Sequence, residues 1–155
     1  MSDQIIRDQV KQLKDSWRPI DKVYEEYAKS IGMSNTSFNV LWTILFNENC
    51  TQNEICKHTW VPKQTVNAAI TDFYKNGLVV LEELPEDRRT KAVKLTEKGK
   101  EYAQKAVCHI RNAEYVAMEQ FTEQERELLI SLFKRYADTC LETIRKSIES
   151  SKNGG

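Results

Sequence analysis

The stretch LPEDRRTKAVKLTEKG, Leu84 to Gly99, decides how the rest of the chain is read. It opens on a charged, turn-forming segment, PEDRRT, and continues into KAVKLT, where Val93 and Leu95 alternate with Lys94. Alternation with a period of two is the mark of a strand. A second β-rich run, LVVLEEL from Leu78 to Leu84, precedes it. Two such runs about a polar turn predict a hairpin whose tip is PEDRRT. Thr96, with Glu-Lys-Gly behind it, predicts the cap of a following helix. The stretch is also where charge collects. Between Arg88 and Lys100 stand Arg88, Arg89, Lys91, Lys94, Lys98 and Lys100, against the single acid Glu97. Residues 111–150 carry eight acidic and six basic side chains, so a formal net charge of zero hides a basic segment.

Outward from the hairpin the chain reads as helices. Ile6, Val10, Leu13, Trp17, Ile20, Tyr24, Tyr27 and Ile31 recur at steps of three or four, one amphipathic stripe. Pro19 predicts a bend in it, since proline removes a ladder N–H, and Gly32 ends it. Ser34 caps a second helix through Phe46. Thr51-Gln-Asn-Glu54 is a capping box that starts a short helix to about His58. Thr59-Trp-Val makes a tight connection, and Pro62 suits the first turn of a helix that stops at Asn76-Gly77. Beyond the hairpin, a helix runs from Thr96 through Ile110 to about Met118. Thr122-Glu-Gln-Glu125 is a second capping box, opening a final helix through Ile148. The fold class is therefore mainly α with a small β-hairpin, a winged helix-turn-helix with helices on both sides.

Composition narrows the rest. With 155 residues, 40% hydrophobic and 30% charged, one soluble domain with a real core is expected. No apolar run approaches the roughly 20 residues of a bilayer span. The polar N-terminus resembles no secretion signal, which points to the cytoplasm. Cys50, Cys56, Cys108 and Cys140 lack metal-ligand spacing and read as small buried hydrophobes. With two histidines and no Gly-rich phosphate loop, neither an enzyme, a cofactor nor a metal centre is expected.

Residues from about Ser34 to Lys105 resemble the MarR family (multiple-antibiotic-resistance regulators) of winged-helix transcription factors. The resemblance rests on Asp87-Arg88-Arg89 followed by Ala92-Val93-Lys94-Leu95-Thr96-Glu97-Lys98-Gly99, on Asn76-Gly77-Leu78-Val79, and on Thr51-Gln52-Asn53-Glu54-Ile55. It implies a sequence-specific double-stranded DNA-binding regulator, a homodimeric repressor on a pseudo-palindromic operator. Lys63, Gln64, Thr65 and Asn67 become the recognition-helix contacts, residue types that read base edges or hold phosphate. Asp87, Arg88, Arg89, Thr90 and Lys91 become the wing, with Arg89 entering the minor groove and Asp87 orienting neighbouring arginines. Gln52 and Asn53 are expected at a phosphate.

The chain departs from the family at Ala68 and Asp72, where basic residues are common. It departs also at Trp60, where a small turn residue is usual, and at Pro62, where Ser or Asp caps the helix. A less basic recognition helix keeps open a second reading, a winged-helix interaction module with weak or no DNA binding. The expected organisation is an N-terminal dimerisation helix over 1–32, a winged core over 33–100, C-terminal dimerisation helices over 101–150 and a disordered tail, 151–155. The terminal helices carry more apolar surface than one small winged domain covers, which favours a C₂ dimer. The resemblance further implies a small aromatic or anionic effector, with Trp17, Tyr24, Trp42 and Phe46 as lining.

Overall fold

The computed structural model describes residues 2–84 and 87–153, with side chains over 3–84 and 90–151. Among them are α1 (Ser2–Ser30), α2 (Asn35–Phe46), α3 (Gln52–Thr59), α4 (Lys63–Lys75), β1 (Val79–Leu84), β2 (Asp87–Leu95), α5 (Glu97–Glu119) and α6 (Glu123–Asn153). The strands form one antiparallel hairpin. The chain divides into two compact units, Met1–Ile110 and Arg111–Gly155.

Local chemistry explains most boundaries of the first unit. At the end of α1, Gly32 takes φ +76°, while its N–H reaches Lys29 and that of Met33 reaches Ala28. The pattern repeats after α4, where Gly77 has φ +69° and Leu78 donates to Phe73. Both are Schellman endings, which need a residue that tolerates the left-handed region. α1 runs unbroken across Pro19, so the proline interrupts the hydrogen bonding but not the helix. Pro62 stands one place earlier than expected: it is the N-cap of α4, in extended conformation, and supplies no side-chain cap. Trp60 closes α3 in the left-handed region at φ 57° and is 66% exposed. A residue other than glycine costs roughly 1–2 kcal/mol there.

The core draws from seven elements. Leu41 of α2, Ile55 of α3, Val66 of α4, Val79 of β1, Val93 of β2 and Val107 of α5 are all fully buried. α1 joins through its C-terminal end, where the Tyr27 hydroxyl donates to the Ala106 carbonyl at 2.8 Å and the ring meets Phe38 edge-on. Gly99, Ala103, Ala106, Val107 and Ile110 are buried, so the first half of α5 belongs to the winged core. The compact unit that holds it runs to Ile110.

In the second unit, Thr122 and Glu125 exchange the two bonds of a capping box at the start of α6. α6 continues to Asn153, through the first residues of the expected disordered tail; Gly154 and Gly155 lie outside the described residues. Its apolar residues Leu129, Leu132, Phe133, Ile144 and Ile148 are all between 43% and 57% exposed. No helix among the described residues is long and apolar enough to cross a membrane.

Candidate nucleic-acid interface

The helix-turn-helix is held by three local devices. The Thr51 hydroxyl accepts from the Glu54 N–H, and the Glu54 carboxylate accepts from the Thr51 N–H at 2.7 Å, completing the capping box of α3. The backbone N–H of Thr51, ahead of its hydroxyl, holds the Glu54 carboxyl below the usual carboxylate range. Gln52, on the first turn, donates its side-chain amide to the Lys63 carbonyl at 3.2 Å. That bond ties the start of α3 to the start of α4, so the Gln52 amide expected at a phosphate is engaged within the protein. The connection to the hairpin is a short ladder, in which Thr51 bridges Ala92 and the Val93 N–H donates to the Cys50 carbonyl at 2.9 Å.

The hairpin is longer and less regular than its sequence predicts. β2 begins at Asp87 instead of Lys91, so Asp87 to Thr90 belong to a strand and not to the tip. The register runs regularly from Val79↔Leu95 to Glu83↔Lys91 and then jumps to Leu84↔Asp87. The ladder thus shifts register between Glu83 and Leu84, the mark of a bulge or irregularity in the wing. The side chains of Asp87, Arg88 and Arg89, three of the five expected wing contacts, lie outside the described side chains.

These elements enclose a groove of about 350 Å³. Its walls are Thr51, Gln52 and Asn53 from α3, Lys63 and Asn67 from α4, and Thr90 and Lys91 from β2. Ile70, Leu81 and Val93 give it an apolar floor. Six of the residues singled out in the sequence, Gln52, Asn53, Lys63, Asn67, Thr90 and Lys91, thus meet in one place. Gln64 and Thr65 are exposed on α4 but do not line it. The floor residues went unrecognised because apolar strand and helix positions read as core.

The conspicuous lysines divide into two groups. Lys91 is exposed at the groove. Lys94 contacts Glu82 at 2.5 Å, Lys98 donates to the Asn76 carbonyl at 2.9 Å, and Lys100 contacts Glu97 at 2.7 Å. The motif around them is architectural. The Thr96 hydroxyl accepts from the Gly99 N–H at 2.9 Å and donates to the Gly77 carbonyl at 2.8 Å. The Thr96 N–H reaches Leu78. The LTEKG segment therefore clamps α5 onto the turn between α4 and β1.

Residues 31–90 match the family model described as "MarR family". They run from the end of α1 through the helix-turn-helix and into the bulge of β2. A solved structure of a MarR family regulator from Neisseria meningitidis is 25% identical, with a TM-score of 0.75 over 90% of this chain and 98% of that one. Residues 31–90 form a MarR family winged helix. Outside the match, the MarR fold itself continues. Staphylococcus aureus MarR in complex with salicylate and kanamycin is 18% identical, with a TM-score of 0.70 over 90% of this chain and 94% of that one. Bordetella bronchiseptica BpsR, whose DNA binding is regulated by 6-hydroxynicotinic acid, is 19% identical, with a TM-score of 0.63 over 82% and 91%. No curated protein matches the sequence. The MarR winged helix is a fold of DNA-binding transcription regulators.

The four aromatics expected at an effector pocket are dispersed along α1 and α2. Trp42 packs against Phe46 with ring centroids 4.9 Å apart and against Phe38 at 6.0 Å. Tyr24 is half-buried beside the core, and Trp17 lies two turns earlier, 48% exposed. Two further cavities, of about 340 and 380 Å³, are lined by other residues. Of the cysteines, Cys50 alone is buried; Cys56, Cys108 and Cys140 are half-buried, a correction to the expectation of four buried thiols. Among the described residues no group of three or more His, Cys, Asp or Glu could hold a metal ion.

Proposed function

We propose that this protein is a dimeric, sequence-specific DNA-binding transcription repressor, released from a pseudo-palindromic operator by a small-molecule effector. The observation that carries the reading is the groove in which Lys63 and Asn67 of α4 face Lys91 and Thr90 of the wing across the start of α3. Amide and ammonium groups converging there suit base edges and phosphates together. Residues 33–100 comprise the DNA-binding core, in which Arg89 enters the flanking minor groove and Arg88 contacts phosphate. The chain acts without catalysing a reaction, in the cytoplasm.

Dimerisation is supported by apolar surface. Ile5, Ile6, Leu13, Trp17, Ile20 and Val23 of α1 are exposed by 41% or more, as are most apolar residues of α6. Exposure on that scale marks surfaces covered by a partner. A second copy, applied through a two-fold axis, sets two α4 helices about one DNA turn apart, roughly 34–36 Å. An aromatic or anionic effector, chemically like the salicylate bound to the Staphylococcus protein or the 6-hydroxynicotinic acid that regulates the Bordetella one, acts by shifting that spacing.

A second reading, a winged-helix module that binds protein instead of DNA, is favoured by the exposed Asp72 and Ala68 on α4. Selection from a random duplex library separates the two. The first reading expects a pseudo-palindrome, bound by a dimer in light scattering, with log affinity falling steeply against log salt. A folded dimer that enriches no sequence at low salt refutes it. Salicylate, added to the selected complex, tests the effector arm by releasing the duplex.

A further inference from the structure

The two faces of the hairpin carry different chemistry. In the regular part of the ladder Leu81 is opposite Val93 and Glu83 is opposite Lys91, while Glu82 is opposite Ala92 and Val80 opposite Lys94. Successive strand side chains point to opposite faces. Leu81, Val93 and Lys91 line the groove, so Glu83 stands on the groove face, one step nearer the bulge. Glu82 stands on the other face and is taken up by Lys94. Glu83 is exposed. An acid opposite Lys91 therefore stands beside a surface otherwise suited to phosphate.

Directly opposed residues of an antiparallel pair have β-carbons about 4.5–5.5 Å apart. That is inside the Debye length of about 8 Å at physiological salt, so the Glu83 charge offsets the pull of Lys91 on any nearby phosphate. Non-specific DNA binding is almost wholly electrostatic, whereas a specific complex adds base-edge and shape contacts. Removing one unit of attraction at the groove therefore takes a larger share from non-specific binding. We propose that Glu83 is a specificity residue of the wing, an acidic counterweight to Lys91 that suppresses binding to generic duplex. The proposal rests on the DNA-binding reading above.

Glu83→Gln and Glu82→Gln make the same charge change on adjacent residues of opposite faces, which makes one the control for the other. Fluorescence anisotropy is measured with the selected duplex and a scrambled duplex of equal composition, between about 50 and 200 mM salt. Glu83→Gln is expected to tighten the scrambled complex about five- to tenfold and the selected one less than half as much, steepening the scrambled log–log salt slope by up to about 1.8 for the two wings of a dimer. Glu82→Gln is expected to change either by less than about twofold, as surface ion pairs contribute little. Equal effects of the two variants reduce the role to net charge and overturn the proposal. So does an unchanged Glu83→Gln, or one that weakens the selected complex, which makes Glu83 a base contact. A parent protein that binds neither duplex overturns the DNA-binding reading, and this proposal with it.

Discussion

A β-carbon placed on Gly99 would lie 1.8 Å from the carbonyl oxygen of Leu78 and 2.8 Å from its carbonyl carbon. The absence of a side chain at Gly99 is what lets α5 begin directly against the turn that leaves α4. Thr96 completes the contact from the other side, with its hydroxyl bonded to the Gly77 carbonyl and the Gly99 N–H.

Gly99→Ala is expected to destabilise the fold by about 3 kcal/mol or more, because the clash is with backbone and cannot relax by a rotamer change. Helix propensity alone argues the opposite, favouring alanine by about 1 kcal/mol. Urea denaturation therefore decides between them by sign. A variant as stable as the parent, or more so, contradicts the close approach.

The capping box of α3 makes a prediction about pH. Glu54 has its carboxyl lowered chiefly by the Thr51 backbone N–H. A lowered folded pKa means stability that is complete above the ordinary carboxylate pKa, about 4.3, and lost as pH falls through the folded value. Thr51→Ala is expected to cost about 1 kcal/mol at neutral pH. Glu54→Gln is expected to lower the melting temperature at pH 7, with the gap to the parent closing below about pH 4. A gap that persists in acid shows that the carboxylate charge is not what the box uses.

At the groove, Lys91→Ala and Asn67→Ala are expected to fail differently. On the proposed reading Lys91 is a phosphate contact, and its loss from both subunits of the dimer weakens all duplexes alike and flattens the salt slope by about 1.8. On the same reading Asn67 reads a base edge, and its loss leaves about 1–3 kcal/mol less discrimination at one base pair of each half-site. Binding isotherms on the selected site and its single-base variants distinguish these. Identical profiles for the two variants count against the division of labour.

Cys50 is 4% exposed, and burial pushes its thiol up to about 11. A thiol needs its thiolate to react. Iodoacetamide at pH 8 is therefore expected to modify Cys56, Cys108 and Cys140 in the native protein while sparing Cys50, as read by peptide mass spectrometry. Modification of Cys50 at the rate of the other three removes its assignment to the core.

Much of this was legible in the chain itself. Ser34, Thr51 and Thr122 announce helix starts, and Gly32 and Gly77 announce ends, because caps and left-handed turns are satisfied within a few residues. The hairpin was legible as alternation, but its length was not. Asp87 to Thr90 look like a turn by composition, yet β2 begins at Asp87, since pairing across the ladder and not local propensity sets where a strand begins. Gln52 looked like a surface amide because the Lys63 carbonyl it meets is eleven residues away. The clustered lysines looked like one basic patch, and the Glu82 and Asn76 partners that occupy two of them come from β1 and the α4 turn.

The sequence by itself determined the order of elements, their caps, and the kinds of side chain offered to a ligand, all of which depend on neighbours within one or two helical turns. Tertiary structure alone decided which of those side chains share a groove, which face of the wing holds Glu83, and why residue 99 is glycine. Those relations join α3 to α4, β1 to β2 and α5 to Leu78, between residues well separated along the chain. They arise when apolar residues from seven elements close on one core and carry the polar ones with them.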